Sequence, residues 1–320
     1  MRTLTTALCG ALLASSAIGA PFLSLPIDCE LGETCFLQNY VDTDPGPGTR
    51  DFTCGPLSYD GHKGTDFALP SIATMQAGVN VLASAGGVVV GTRDGMVDRA
   101  ITNDTLASVE GRECGNGVAI DHGDGWVTQY CHMKQGSISV TKGQTVETGD
   151  TLGQVGLSGR TQFPHVHISV RHNGTVIDPF QPGANDTCGA SDKTLWADPL
   201  AYSPGGLIAL GFTTAIPSFD QVKSGQIAQT TLPPNAPALV LYAYGFGSRA
   251  GDRLDITING PANRVVAQSV DLDKTQAQYF RAIGKRTPAG GWQPGTYTGT
   301  ATLYRDQQPL DSQSLTLTVE

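Results

Sequence analysis

An all-β protein in two parts is what the sequence predicts: a compact antiparallel β-sheet domain with a groove, followed by an immunoglobulin-like β-sandwich. Three observations carry that expectation. Glycine (40) and proline (19) are abundant while charged residues make up only 15%, against about a quarter in ordinary globular chains, a balance that suits many short strands joined by turns. Apolar and polar residues alternate with period two in run after run, and few segments hold a 3.6-residue period over a useful length. All six histidines fall between His62 and His172, and neither His nor Cys follows Cys188, so any side-chain chemistry belongs to the first part. At 320 residues the chain can bury a proper core in each of two domains.

The elements follow in chain order. Residues 1–20, "MRTLTTALCGALLASSAIGA", combine basic Arg2, an apolar run too short to cross a bilayer and small residues from Ala17 to Ala20, the pattern of a cleavable export signal. No stop-transfer segment follows, so no stable membrane insertion is expected. Removal of the signal takes Cys9 with it and leaves Cys29, Cys35, Cys54, Cys114, Cys131 and Cys188, an even set that favours disulfides in an exported protein. Cys114 and Cys131 flank a predicted hairpin, "VAIDHGDGWVTQY", turning near Gly123 to Gly125. Six cysteines allow fifteen connectivities, among which the sequence alone does not choose. Cys29 with Cys35, close in sequence, is the other favoured pair, and elimination would then leave Cys54 with Cys188. A net charge of -9, a pI near 5.0 and the absence of a basic patch argue against nucleic acid or an anionic surface as partner.

Residues 21–60 are loop-rich and expected to pack on the domain that follows, with "DTDPGPGTRD" a turn cluster. From Val79 to Pro179 the text is a run of strands: "VNVLASAGGVVVGT", "GVAIDHGDGWVTQYCHM", "QTVETGDTLGQVG" and "HVHISVRHNGTVIDP". The first domain is set at residues 61–195 and a Pro/Gly linker at 196–206. Residues 207–320 hold about seven alternating strands ("LIALGFTTAI", "ALVLYAYGFG", "DRLDITINGP", "RVVAQSVDLD", "AQYFRAIG", "GTYTGTATLY", "SLTLTVE"), the count and spacing of an immunoglobulin-like sandwich. Its aromatics, Tyr242, Tyr244, Phe246, Trp292 and Tyr297, are assigned to core packing, and the sandwich to no chemistry.

Candidate chemistry starts at "YDGHKGTDFALP", where His62 and Asp66 lie four apart. Gly61, Gly64 and Thr65 argue against a helix, and in an extended chain the even spacing puts both side chains on one side. Alone, such a pair is more often a surface hydrogen bond. "PHVHISV" changes the weighting, because His165 and His167 at i and i+2 share one strand face with Cα atoms roughly 6.5 to 7 Å apart, and two imidazoles buried together are costly without partners. Imidazole and carboxylate without thiolate suit Zn²⁺. Four ligands would make a closed, structural site. Three would leave an open position and free one histidine for catalysis, and periodicity does not choose between them. His132, after Cys131, is a further candidate, although neighbours on a strand face opposite ways, which disfavours a Cys/His dyad. "GLSGR" lacks the second glycine of a nucleophile elbow, and no H-E-x-x-H occurs. His122 and His172 are placed in turns and given no role.

Taken in order, these segments resemble the lysostaphin-type (LytM-like) family of zinc metalloendopeptidases between Gly61 and Pro179. "GHKGTDFALP" is similar to that family's H-x-G-x-D segment, "GNGVAIDHGDGWVTQYCHM" to its G-N-x-V-x-I-x-H-x-D-G-x-x-T-x-Y-x-H hairpin, and "VTKGQTVETGDTLGQVGLSGRTQFPHVHISV" to its glycine-spaced run closing on H-x-H. The resemblance implies one Zn²⁺ per chain held by His62, Asp66 and His167, with His132 and His165 as catalytic, non-ligand residues beside an activated water. It further implies hydrolysis of peptide cross-links in bacterial peptidoglycan. With an export signal, disulfides and no wall-binding module, the periplasm is the expected compartment. The sequence departs from the family where "GRTQFPH" replaces S-G-x-S-T-G-P-H, where Cys131 replaces a small residue, and where residues 92–113 form an insertion.

Two other readings compete. One is a catalytically inactive LytM-like regulator of other cell-wall hydrolases, against which stands the presence of all five functional side chains. The other is a lipoyl or biotinyl carrier, suggested by the hairpin "VTKGQTVETGDTLGQVG", but no lysine sits in the tripeptide such a carrier displays.

Overall fold

The computed structural model describes residues 19–183, 188–189 and 193–320. The export signal read at residues 1–20 therefore lies outside the described residues except for Gly19 and Ala20.

The first half is built on β1 (Phe36–Asn39), β2 (Thr65–Ala68), a one-turn helix α1 (Ile72–Ala77), β3 (Asn80–Leu82), β4 (Gly87–Arg93), β5 (Asn116–Gly123), β6 (Trp126–Met133), β7 (Thr145–Val146), β8 (Thr151–Gln154), β9 (His165–His172) and β10 (Thr175–Ile177). The main sheet runs β1-β2-β9-β6-β5-β4-β7 with β10 beside β9, and every pairing in it is antiparallel. Strands β3 and β8 pair separately. Hairpin β5–β6 closes on the two residues Asp124 and Gly125, with φ of 46° and 80°. Positive φ at both central positions twists a two-residue turn to match the strands, which is why Asp-Gly stands there.

Pleating then sorts the side chains. Phe67, Val118, Ile120, Tyr130, Val166, Ile168 and Val170 fall on one face and are buried in the main core. Register places Asp66 opposite His167, and His167 opposite Cys131, so these three project from the other face. The three predicted disulfides, Cys29–Cys35, Cys54–Cys188 and Cys114–Cys131, are all present. His122 is not a solvated turn residue: it lies in β5, half-buried, with Nδ1 on the Gly86 carbonyl at 2.7 Å and Nε2 on Thr128 Oγ1 at 2.9 Å. His172 ends β9 and stacks on Trp126.

The second half has β11 (Gly206–Thr213), helix α2 (Phe219–Ser224), β12 (Thr231–Leu232), β13 (Ala238–Ser248), β14 (Asp252–Asn259), β15 (Arg264–Leu272), β16 (Gln276–Arg286), β17 (Gly295–Arg305) and β18 (Gln308–Val319). All seven predicted runs are strands. The sequence did not announce β12, whose two residues pair in parallel with β18, nor α2, which starts on a Ser218–Gln221 capping box and stops at Gly225 in the left-handed region. Sheets β11-β13-β16 and β12-β18-β17-β14-β15 enclose one core that joins Phe212, Leu239 and Leu241 to Ile256, Leu303 and Leu317. Gly299 on β17 lies so close to the opposite sheet that a Cβ there would meet Leu241 and Phe212 at 2.8 and 2.9 Å. Tyr242, Tyr244, Phe246, Trp292 and Tyr297 are buried.

The segment read as a linker is packed rather than free. Trp196 is buried in the first core, Tyr202 stacks on Tyr40, and Gly206 already begins β11. The sandwich lies against the edge strand β1, where the rings of Phe36 and Phe246 sit 4.4 Å apart.

Candidate metal centre and catalytic site

The five residues singled out in the sequence come together on the side of β2, β9 and β6 that faces away from the main core, and all but the half-buried His167 are buried there. His62 precedes β2 in a loop, and its ring turns back on Asp66. Nε2 of His62, Oδ1 of Asp66 and Nδ1 of His167 all lie within 4.8 Å of one another. The individual separations are 3.2 Å (His62 to Asp66), 3.1 Å (His62 to His167) and 2.8 Å (His167 to Asp66). Gly64 makes the approach possible, because a Cβ there would stand 2.5 Å from His167 Nε2.

Outer hydrogen bonds set the rings. His62 donates from Nδ1 to the Tyr40 carbonyl at 2.7 Å, which leaves the Nε2 lone pair aimed at the cluster. Asn39 donates from Nδ2 to Asp66 Oδ2 at 3.1 Å, freeing Oδ1 for the same point. Three lone-pair-bearing atoms thus face one another in a buried site, an arrangement that protons only partly relieve and that a metal cation satisfies. His62, Asp66 and His167 therefore form a donor set able to hold a metal ion.

His132 and His165 flank this set, their rings 4.6 Å apart, with His132 5.9 Å from His167. Strand alternation would send His132 to the core side with Tyr130. It is brought back by a left-handed backbone, φ 62°, at the end of β6 just past its last pairing with β9. A non-glycine residue held there costs of order 1–3 kcal/mol, a strain that concentrates at working sites. His132 donates from Nδ1 to the Ser158 carbonyl at 2.8 Å, and His165 from Nδ1 to the Phe163 carbonyl at 2.9 Å with Thr161 Oγ1 at 3.1 Å. Both are therefore anchored through Nδ1, and the Nε2 of His165 lies 3.5 Å from Asp66 Oδ1.

The electrostatics follow from burial and charge. Burial pushes the Asp66 carboxyl up, but His62 and His165 beside it and hydrogen bonds from His165 and His167 outweigh this and hold it well below the usual carboxylate range. Burial pulls His62 down, yet the charge and hydrogen bond of Asp66 leave it raised. His132 falls well below an ordinary imidazole because it is buried and faces two other histidines, and burial likewise lowers His167. His132 is thus neutral at pH 7.

A cleft of about 360 Å³ opens beside these residues and is lined by Asp66, His165, Tyr59, Arg160, Leu106 and Ala277. Leu106 belongs to the 92–113 insertion, whose one 3-10 turn spans Asn103–Val109. The Tyr59 ring lies tilted against His62, with centroids 4.4 Å apart. Neither Asn39, Tyr59 nor the Ser158 and Tyr40 carbonyls stood out in the sequence. Each meets the site through the fold, and a backbone carbonyl leaves no sequence signal.

Residues 60–179 match the sequence model of Peptidase family M23. The chain carries a peptidase M23 domain. Over this M23 domain it is 36% identical across 120 residues to the peptidoglycan DD-endopeptidase ShyA of Vibrio cholerae, covering 38% of this chain and 22% of that protein. It is 31% identical across 118 residues to the cell division protein DipM of Caulobacter vibrioides, covering 37% of this chain and 18% of that one. The chain thus spans about a fifth of the length of these relatives. Among solved structures it is similar to the catalytic domain of the prophage-encoded M23 protein EnpA from Enterococcus faecalis, at 24% identity and a TM-score of 0.33, covering 52% of this chain and 98% of that domain. Among the described residues no helix is long and apolar enough to cross a membrane.

Proposed function

We propose that the chain is an exported zinc metalloendopeptidase that hydrolyses peptide cross-links of bacterial peptidoglycan, working in the periplasm. The observation that carries this reading is the convergence of His62 Nε2, Asp66 Oδ1 and His167 Nδ1 beside two further histidines, each anchored through Nδ1. The M23 domain and relatives named as peptidoglycan endopeptidases support the substrate class.

In this reading His62, Asp66 and His167 hold Zn²⁺, an ion at home with two imidazoles and a carboxylate. Bound there, zinc supplies Lewis acidity toward a peptide carbonyl and an attacking water. The protein's own groups do the rest. His132 and His165, each fixed through Nδ1, take up or return a proton at Nε2 and, once protonated, donate to the oxygen on which negative charge develops. The scissile peptide lies in the cleft between the insertion and Ala277.

Purified protein should contain one zinc per chain by elemental mass spectrometry and release defined products from cross-linked muropeptides. Protein that keeps its fold and its zinc but leaves every cross-linked muropeptide intact would refute the enzyme reading and restore the regulator.

A further inference from the structure

We propose that the C-terminal sandwich is a working part of the active site: through Phe246 and Phe163 it positions His165, and through Ala277 it walls the substrate cleft.

The first link runs through Phe163. Its carbonyl receives His165 Nδ1, and its ring lies against the His165 ring at 4.6 Å and 31°. The same ring packs into a small apolar cluster made of Phe36, Ala68 and Phe246, with Ile208 alongside. Phe246 lies on β13 and Ile208 on β11, so the sandwich supplies two of the residues of the cluster into which the Phe163 ring packs. Phe163 also stands where the resemblance found in the sequence has a glycine, so this segment departs from the family pattern at the residue that reaches the sandwich.

The second link runs through Gln38. This fully buried side chain on β1 donates from Nε2 to the Ala277 carbonyl at 2.6 Å and accepts from Gln278 Nε2 at 3.1 Å. Gln278 is held in turn by the Tyr244 hydroxyl at 2.8 Å. Ala277 is thereby fixed at the rim of the cleft that Asp66 and His165 line, and Gln38 is chain neighbour to Asn39, which holds Asp66. Buried polar contacts of this kind fix one geometry, since any slip leaves an unpaired donor. A sandwich serving only as a tethered module would need neither link.

The test uses the full-length protein and three variants. In metal-free Phe246→Ala, labelling of His165 by diethyl pyrocarbonate, mapped by mass spectrometry, should rise about tenfold, because an imidazole whose packing is lost samples open geometries. His172 should label as in wild type, and Phe246→Leu should restore protection. This measurement does not depend on the endopeptidase reading. The kinetic arm does rest on it: with zinc and a cross-linked muropeptide dimer, Phe246→Ala should lower kcat about tenfold with KM little changed, as expected when a reacting group is misplaced. Ala277→Trp, a substitution at an exposed rim position, should raise KM several-fold at unchanged kcat, on the order expected when only substrate binding is obstructed. A folded Phe246→Ala with wild-type labelling of His165 overturns the positioning role, and a wild-type KM in Ala277→Trp overturns the wall.

Discussion

The two halves are built from the same material, antiparallel strands, but use the two faces of a strand differently. In the sandwich β14 alternates plainly, Leu254, Ile256 and Ile258 pointing inward while Arg253, Asp255 and Thr257 stay half-exposed, and β13, buried from Leu239 to Ser248, fills both of its faces mainly with apolar, aromatic and glycine residues. In the first half, β2 is buried at all four positions, β6 from Tyr130 through Met133, and His165 and Val166 are both buried. One face of these strands packs the core, and the other buries Asp66 and His165 in each other's company. A strand that buries polar groups on its second face bears a desolvation cost that only mutual hydrogen bonding or a metal offsets. Carboxylate and imidazole on the second buried face, where β13 carries mainly apolar and aromatic side chains, therefore mark where structure has been given over to chemistry.

The sharpest way to break this comparison is to separate the two histidines of β9. Under the proposed roles, His167→Ala removes a donor and should empty the site of zinc and abolish cleavage. His165→Ala should keep zinc close to one per chain while kcat falls on the order of 10²–10⁴-fold, the usual range for loss of a proton-transfer group. Equal zinc loss in both variants, read by elemental mass spectrometry, would show that the face works as one undivided ligand cluster.

Much of this site is legible in the amino-acid sequence, because its residues are chemically distinctive and evenly spaced. His165 and His167 share a face by the period of a strand alone, and the cysteine pairs that proximity and elimination favour, without deciding among the fifteen possible connectivities, are those that form. What the sequence does not carry are facts of long-range contact and backbone shape. The pairing of β1 with β2 brings Asn39 to Asp66 across 27 residues. The left-handed φ of His132 reverses the side on which alternation would place it. The contact between Phe163 and the sandwich depends on two segments 83 residues apart in sequence, read from Phe163 to Phe246, meeting at the edge of a sheet. Local periodicity holds no information on any of these.

The halves also differ in covalent bracing, since all three disulfides lie in the first. Cys131 is opposite His167 and next to His132, so the Cys114–Cys131 bond ties down the strand end that carries the strained histidine. Replacing both cysteines by alanine should cost about 3 kcal/mol, the scale expected for closing a loop of this length. Unfolding by denaturant should show that loss in the first half, with near-wild-type stability of the sandwich measured by hydrogen exchange on β14 and β17. A uniform loss across both halves would mean that they unfold as a single unit.

A last contrast concerns how each half buries an aspartate away from the site. Asp252 in the sandwich is paired with Arg305, which donates from Nε and Nη2 at 2.9 and 2.7 Å. Asp178 in the first half accepts one hydrogen bond, from the Phe180 amide at 2.9 Å, and among the described residues its Oδ2 has none. Burial, opposed by that amide bond, pushes its carboxyl up to about 7. An acid raised in the folded state binds its proton more tightly there than in the unfolded chain. Its contribution is complete below the unfolded pKa near 4 and is lost as pH rises through 7. Across that window stability should fall by about 1.4 kcal/mol per pH unit from this group alone. Asp178→Asn, which keeps the acceptor for Phe180 and removes the ionisation, should leave the melting temperature nearly unchanged at pH 4 and raise it at pH 8. A variant that stabilises equally at both would show that Asp178 is not the titrating group, and that burial without a cation is tolerated in this half for another reason.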